Sequence, residues 1–238
     1  MKKQFIIFSI MLLASIQSFA HYMWVETNTI GTVGKPQQVK VFFGEYTYGE
    51  IEETNGDAFK SVQQFTLWAI DADGTKTELK TTAKDNYYLA EFTPKNNGTY
   101  TIVLDNNNID VIDYTKYNFG IFKTHYHAIA KVQVGKKDNH TAAVNPNGIT
   151  VKDVSEKENT VKLQVMFKNK ALAKNEVKVY VADLWTKTLT TDENGFVSFD
   201  LPWDNKYIVE TTYKEETPGN YNNKEYEFIW HCVAYTIL

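Results

Sequence analysis

Four histidines, His21, His125, His127 and His231, have the positions and spacings that could hold a metal ion. His21 directly follows Ser18-Phe19-Ala20, a small-x-small ending of the kind a signal peptidase cuts. Cleavage after Ala20 would leave a free α-amine beside the imidazole of the same residue. That amine has an ordinary pKa of about 7.7–8.0, and a metal displaces its proton readily. Amine and Nδ1 together form a chelate. One further imidazole completes a planar three-nitrogen set suited to Cu(II) or Ni(II).

His125-Tyr126-His127 offers such imidazoles. On an extended strand, residues two apart share a face. The even positions Tyr126, Ala128, Ala130, Val132 and Val134 form the apolar, core-facing set. His125 and His127 therefore lie on the other face with Ile129, Lys131 and Gln133. A solvated face would produce the same pair without ligation. His231 shares its face with Ile229, Val233 and Tyr235, so it reads as partly buried, either as a satisfied core histidine or as a further ligand. His140 falls in a polar stretch and reads as solvated.

The elements that must position these residues are strands. Val39, Val41 and Phe43 alternate, as do Phe65, Leu67 and Ala69, then Tyr88 to Phe92, Tyr100 to Leu104, and His125 to Val134. Pro94 to Gly98 and Asp73-Gly74 punctuate them as turns. Alternation resumes with Val161, Leu163, Val165 and Phe167, and with Val177, Val179 and Val181. Thr190 to Phe196 is a tight turn, and Tyr207 to Tyr213 and Tyr226 to Leu238 close the set. The pattern predicts an all-β protein of two antiparallel β-sandwich domains, immunoglobulin-like or transthyretin-like. The expected boundaries are a signal peptide over 1–20, an N-terminal domain over 21–135, a linker over 136–145 and a C-terminal domain over 146–238. Ile112 to Lys116 is helix-compatible but short.

The 238 residues carry a net charge of -4, with no arginine among the 25 basic residues. No basic surplus is available to neutralise phosphates, so nucleic acid is not an expected partner. Without guanidinium forks, bidentate anion recognition is also disfavoured. Lys2 and Lys3 precede a short apolar run, which predicts export to the periplasm or beyond, and no later stretch is long enough to span a membrane. Cys232 is the single cysteine, so it reads as a small buried hydrophobe. Sequons at Asn97 and Asn139 read as coincidence in a bacterially exported chain. Glu45 and Glu50 lie in an aromatic loop that could line a pocket. Asp105, Asp110 and Asp113 lack calcium-loop spacing. No nucleophile elbow, phosphate loop or dinucleotide fingerprint occurs, and the chain is not expected to be an enzyme.

The arrangement at His21 resembles the histidine brace of copper-binding periplasmic proteins and copper-dependent polysaccharide monooxygenases. Ala20-His21-Tyr22-Met23-Trp24-Val25 also resembles the mature start of a periplasmic family catalogued as domain of unknown function 4198. Val39 to Glu45, Ala130-Lys131-Val132 and Trp230 to Thr236 are similar to further parts of that pattern. Val177 to Val181, Thr191 to Phe196 and Leu201-Pro202 resemble carboxypeptidase-regulatory or transthyretin-like modules. The family resemblance implies an envelope protein associated with nickel and cobalt uptake, and it points to His21 and His231; His125 and His127 come from their spacing alone. The expected function is capture of a transition ion (Ni, Co or Cu) for a metal-uptake membrane transporter. The alternatives are a metal-free envelope module that binds a glycan or protein, and a copper oxygenase acting on polysaccharide.

Overall fold

The structure, a computed structural model, describes residues 21–136, 145–157, 159–182 and 185–238. The expected signal peptide, Asn139 and His140 lie outside the described residues, as does most of the expected linker. Among the described residues the regular structure is almost all strand. The longer ones are β1 (Tyr22–Thr27), β2 (Gln37–Glu45), β3 (Thr66–Ile70), β4 (Tyr88–Phe92), β5 (Gly98–Asn106) and β6 (Ile121–Val134). The second half adds β7 (Ile149–Asp153), β8 (Thr160–Phe167), β9 (Glu176–Tyr180) and β10 (Thr186–Thr190). It ends with β11 (Phe196–Asp200), β12 (Tyr207–Glu215) and β13 (Phe228–Ile237). The helix-compatible piece resolves into a two-residue strand, Ile112–Asp113, and a single 3-10 turn, Thr115–Tyr117.

Three sheets stack as layers. A ten-stranded sheet lies in the middle, and its main path runs β10-β9-β12-β13-β6-β5-β3. Strands from both halves of the sequence therefore share one sheet, joined where β6 pairs β13 in parallel. A parallel pair cannot be closed by a hairpin. The chain leaves β6, builds the whole second half and returns as β13. A five-stranded sheet containing β1-β2-β4 covers one face, and a four-stranded sheet of β7, β8 and β11 with a short strand covers the other.

Alternation along the shared strands feeds two separate cores. On β6, Ala128, Ala130, Val132 and Val134 pack toward β1 and β2, whereas Ile129 packs toward β7 and β8. On β13, Ala234 belongs to the first core and Val233 and Tyr235 to the second; on β12, Ile208 opposes Tyr207 and Val209. A one-residue slip would exchange the two sets, so the register is strongly specified. The even set of β6 enters a core as the alternation predicts. Of the odd set, His125, His127 and Ile129 are buried, because a third layer covers them. A strand buried on both faces usually reads as a near-continuous apolar run. Polar residues on β6 therefore demand partners inside the protein.

The layers are also pinned by polar contacts. Asp153 at the end of β7 accepts hydrogen bonds from Lys131 Nζ (2.6 Å) on β6 and Tyr235 Oη (2.7 Å) on β13. At the turn into β11, Asp192 Oδ1 accepts from the N–H groups of Asn194 and Phe196, and Gly195 adopts φ +77°. Cys232 is buried as a free thiol, as expected of a small hydrophobe.

Candidate metal centre

Three of the four predicted histidines come together on the second-core face of the central sheet. His125 and His127 project from β6 on the side of Ile129, and His231 projects from β13 on the side of Val233. The parallel register sets His125 beside His231, and their ring centroids lie 5.2 Å apart at 58°. All three side chains are deeply buried, at 2, 3 and 1 % exposure for His125, His127 and His231.

Each ring is held by a carboxylate on one of its nitrogens. Asp105 Oδ1, from β5, lies 2.8 Å from His125 Nε2 and 3.4 Å from His127 Nδ1, the second contact being long and weak. Glu215 Oε2, at the end of β12, lies 2.9 Å from His231 Nε2. The other Glu215 oxygen pairs with Lys168. Burial alone would raise both acids. Hydrogen bonds from His125 and His127 hold Asp105 far below its usual range, and those from Lys168 and His231 lower Glu215. Both are thus ionised acceptors, which fixes the tautomers. Each ring donates from the nitrogen that faces its carboxylate, Nε2 in His125 and His231 and Nδ1 in His127. Burial pushes His231 down to about 4, against the pull of Glu215, and lowers His127 against that of Asp105. Both rings are neutral at pH 7.

The free nitrogens are where chemistry is possible. His231 Nδ1 and His127 Nε2 are buried without a hydrogen-bond partner, a condition that costs about 1–3 kcal/mol per group. The Nδ1 atoms of His125 and His231 converge on Gly148. A Cβ built on that glycine would stand 2.8 Å from the first and 2.9 Å from the second. Asn145-Pro146-Asn147-Gly148 forms the turn that brings it there. Asn145 Oδ1 accepts from the N–H of Asn147, Asn145 Nδ2 donates to the carbonyl of Ile149, and the N–H of Lys168 donates to the carbonyl of Gly148. Phe167 closes the pocket, its ring edge-on to His231 at 5.1 Å. Two imidazoles, each braced on the far side by a carboxylate, form the carboxylate–histidine arrangement that orients metal ligands.

His21 is not part of this cluster. It precedes β1, and its carbonyl accepts a hydrogen bond from Tyr126 Oη (2.9 Å). Tyr126 packs with the first core, so the central sheet separates His21 from His125, His127 and His231. Its ring already has carboxylate partners on both sides, Glu45 at 3.2 Å from Nδ1 and Glu52 at 2.7 Å from Nε2. The expected set of the His21 chelate plus one of the other three imidazoles is not assembled. Among the described residues, no group of three or more His, Cys, Asp or Glu side chains is placed to hold a metal ion. The centre is a pair, His125 and His231, with His127 beside it on the shared Asp105.

Sequence reasoning missed Asp105, Glu215, Gly148 and Phe167 as parts of this site. Asp105 was visible only as one acid in an Asn-rich run, and Gly148 only as a turn residue. Among the described residues, no helix is long and apolar enough to cross a membrane.

No curated protein matches the chain in sequence. Among solved structures it is similar to a chain described as "Biofilm associated protein - BSP domain", at 13% identity and a TM-score of 0.24. That alignment covers 88% of this chain and 29% of the other, so this chain spans less than a third of that one's length. A family model described as "Domain of unknown function (DUF4198)" matches residues 18–215, a segment that contains His21, Asp105, His125, His127, Gly148 and Glu215 and ends before His231. By that match over most of its length, the chain belongs to the DUF4198 family.

Proposed function

We propose that this protein is an exported, non-enzymatic binder of a transition-metal ion (Ni, Co or Cu) that serves a metal-uptake transporter, and that the ion sits between His125 and His231. The observation that carries this reading is the close approach of both Nδ1 atoms to one point beside Gly148, where any Cβ would stand less than 3 Å from each. Three features support it. Both rings are backed by ionised carboxylates, His231 Nδ1 has no other partner, and both imidazoles lie where water cannot compete. A buried lone pair without a donor is unfavourable in the free protein, and an ion would relieve it. The test is a titration with Ni(II), Co(II) and copper while the ring ¹⁵N resonances are followed. Perturbation of Nδ1 in both His125 and His231 is expected. If neither moves with any of these ions, the reading fails.

A second reading, a metal-free envelope module that binds a glycan, rests on the aromatic cluster at the start of β6 and β13. Phe119 is 39% exposed and packs edge-on against Phe122, Phe228 and Trp230. Oligosaccharides that shift the Phe119 and Trp230 signals of metal-free protein would favour it, and silence across a varied panel would count against it.

A further inference from the structure

Resting on the metal reading above, we infer that the ion held by His125 and His231 is monovalent copper, bound by two imidazole nitrogens, rather than a nickel or cobalt dication.

The argument begins with donor number. Two nitrogens, His125 Nδ1 and His231 Nδ1, lie within 3 Å of one point beside Gly148. The neighbouring acids are committed behind the rings, Asp105 to His125 and His127, and Glu215 to His231 and Lys168. Among the described residues no third His, Cys, Asp or Glu joins the pair. Ni(II) and Co(II) take square-planar, tetrahedral or octahedral sets. Here those sets would have to be completed by water. The surroundings oppose that, because the Phe167 ring packs against His231, the backbone at Gly148 approaches both rings, and both imidazoles are nearly inaccessible. A filled-shell d¹⁰ monocation is content with two nitrogens in line and needs no water.

Charge leads to the same ion. Both ligands are imidazoles, and the negative charge of the site is held one ring away, on Asp105 and Glu215. Lys168 offsets part of it on the Glu215 side. The desolvation cost of an ion rises with the square of its charge, so a dication entering this pocket pays about four times what a monocation pays. The residues therefore do not suit the nickel or cobalt that the family resemblance implies.

Cu(I), supplied anaerobically as its acetonitrile complex, and Ag(I), its redox-inert analogue, are the probes. Competition against a colorimetric Cu(I) chelator should show one Cu(I) retained per chain. It should bind at least about tenfold more tightly than Ni(II), Co(II) or Zn(II) measured in the same buffer. X-ray absorption should report two nitrogen neighbours, and Ag(I) should perturb Nδ1 of both His125 and His231. His231→Gln should abolish retention, and His21→Ala should leave it intact. Ni(II), Co(II) or Zn(II) bound at this pair as tightly as Cu(I) would overturn the Cu(I) assignment while leaving the metal reading standing. No perturbation of either Nδ1 by any ion would overturn both.

Discussion

His125 and His231 are neighbours across a parallel strand pair, with ring centroids 5.2 Å apart, and each is tied to a carboxylate from a different flanking strand. Asp105 comes from β5, which pairs β6 on its far side, and Glu215 from β12, which pairs β13 on its far side. Four adjacent strands thus supply acid, imidazole, imidazole and acid. The sheet hydrogen bonds fix the order, so the two rings are held side by side by the fold itself. Such preorganisation lowers the ordering cost of binding.

The space at Gly148 makes the first prediction. Glycine to alanine in an ordinary position stabilises by about 0.4–1 kcal/mol through the unfolded chain. At Gly148 the added methyl would meet both Nδ1 atoms below 3 Å, and Gly148→Ala is expected to cost about 1–3 kcal/mol. It should also remove ion binding by occupying the point the nitrogens share. Chemical denaturation and ion competition, run side by side, check both. A variant that melts later and still binds would show that the pocket has slack.

Glu215 makes the second. Glu215→Gln keeps an acceptor for the His231 Nε2–H but removes the charge that raises the basicity of the ring. Affinity for the ion is expected to fall about 10–100-fold, with folding retained. The measurement is chelator competition at fixed pH. Unchanged affinity would mean that Glu215 serves only Lys168.

At the opposite face, His21→Ala and an extra residue placed before His21 should both leave ion binding unchanged, because the central sheet stands between His21 and the pair. The substitution should cost no more than about 1 kcal/mol, the worth of partly exposed side-chain contacts with Glu45 and Glu52. Isothermal titration of the two variants decides. Lost binding in either would return the ion to an N-terminal chelate.

The sequence made the strands legible and the site only partly so. Period-two alternation on β6 assigned Ala128, Ala130, Val132 and Val134 to a core, and they lie in one. It could not show that His125 and His127 face a second core, because the strands that cover them, β7 and β8, come later in the chain. His231 read as partly buried from Val233 and Tyr235; its pairing with His125 depends on a parallel register that no local pattern encodes. Asp105 and Glu215 reach their histidines from 20 and 16 residues away, and such contacts leave no mark in spacing. His21 drew attention through the chemistry of a cleavage site. Where its strand would lie was set by β1 pairing with β2, which put it on the other side of the sheet.

Glu210 sets the final prediction. It lies on β12, on the same face as Ile208, at 7% exposure. Burial pushes its carboxyl well above 4.5, the charge of Glu45 adds to the rise, and the ammonium of Lys178 opposes both. The folded state therefore holds a proton that the unfolded chain releases above about pH 4.5. With more protons bound in the folded state, stability falls as pH rises, by at most about 1.4 kcal/mol per pH unit for one group. The contribution of Glu210 is complete below the unfolded value and is lost as pH climbs toward the folded one. Glu210→Gln cannot ionise, so its contribution is flat. The variant should gain on the natural protein as pH rises from about 4.5 toward the raised folded value, whatever fixed offset the buried amide adds. Urea denaturation at several pH values measures the difference. A gap that stays constant across that interval would mean that Glu210 is already ionised in the fold, with Lys178 outweighing its burial.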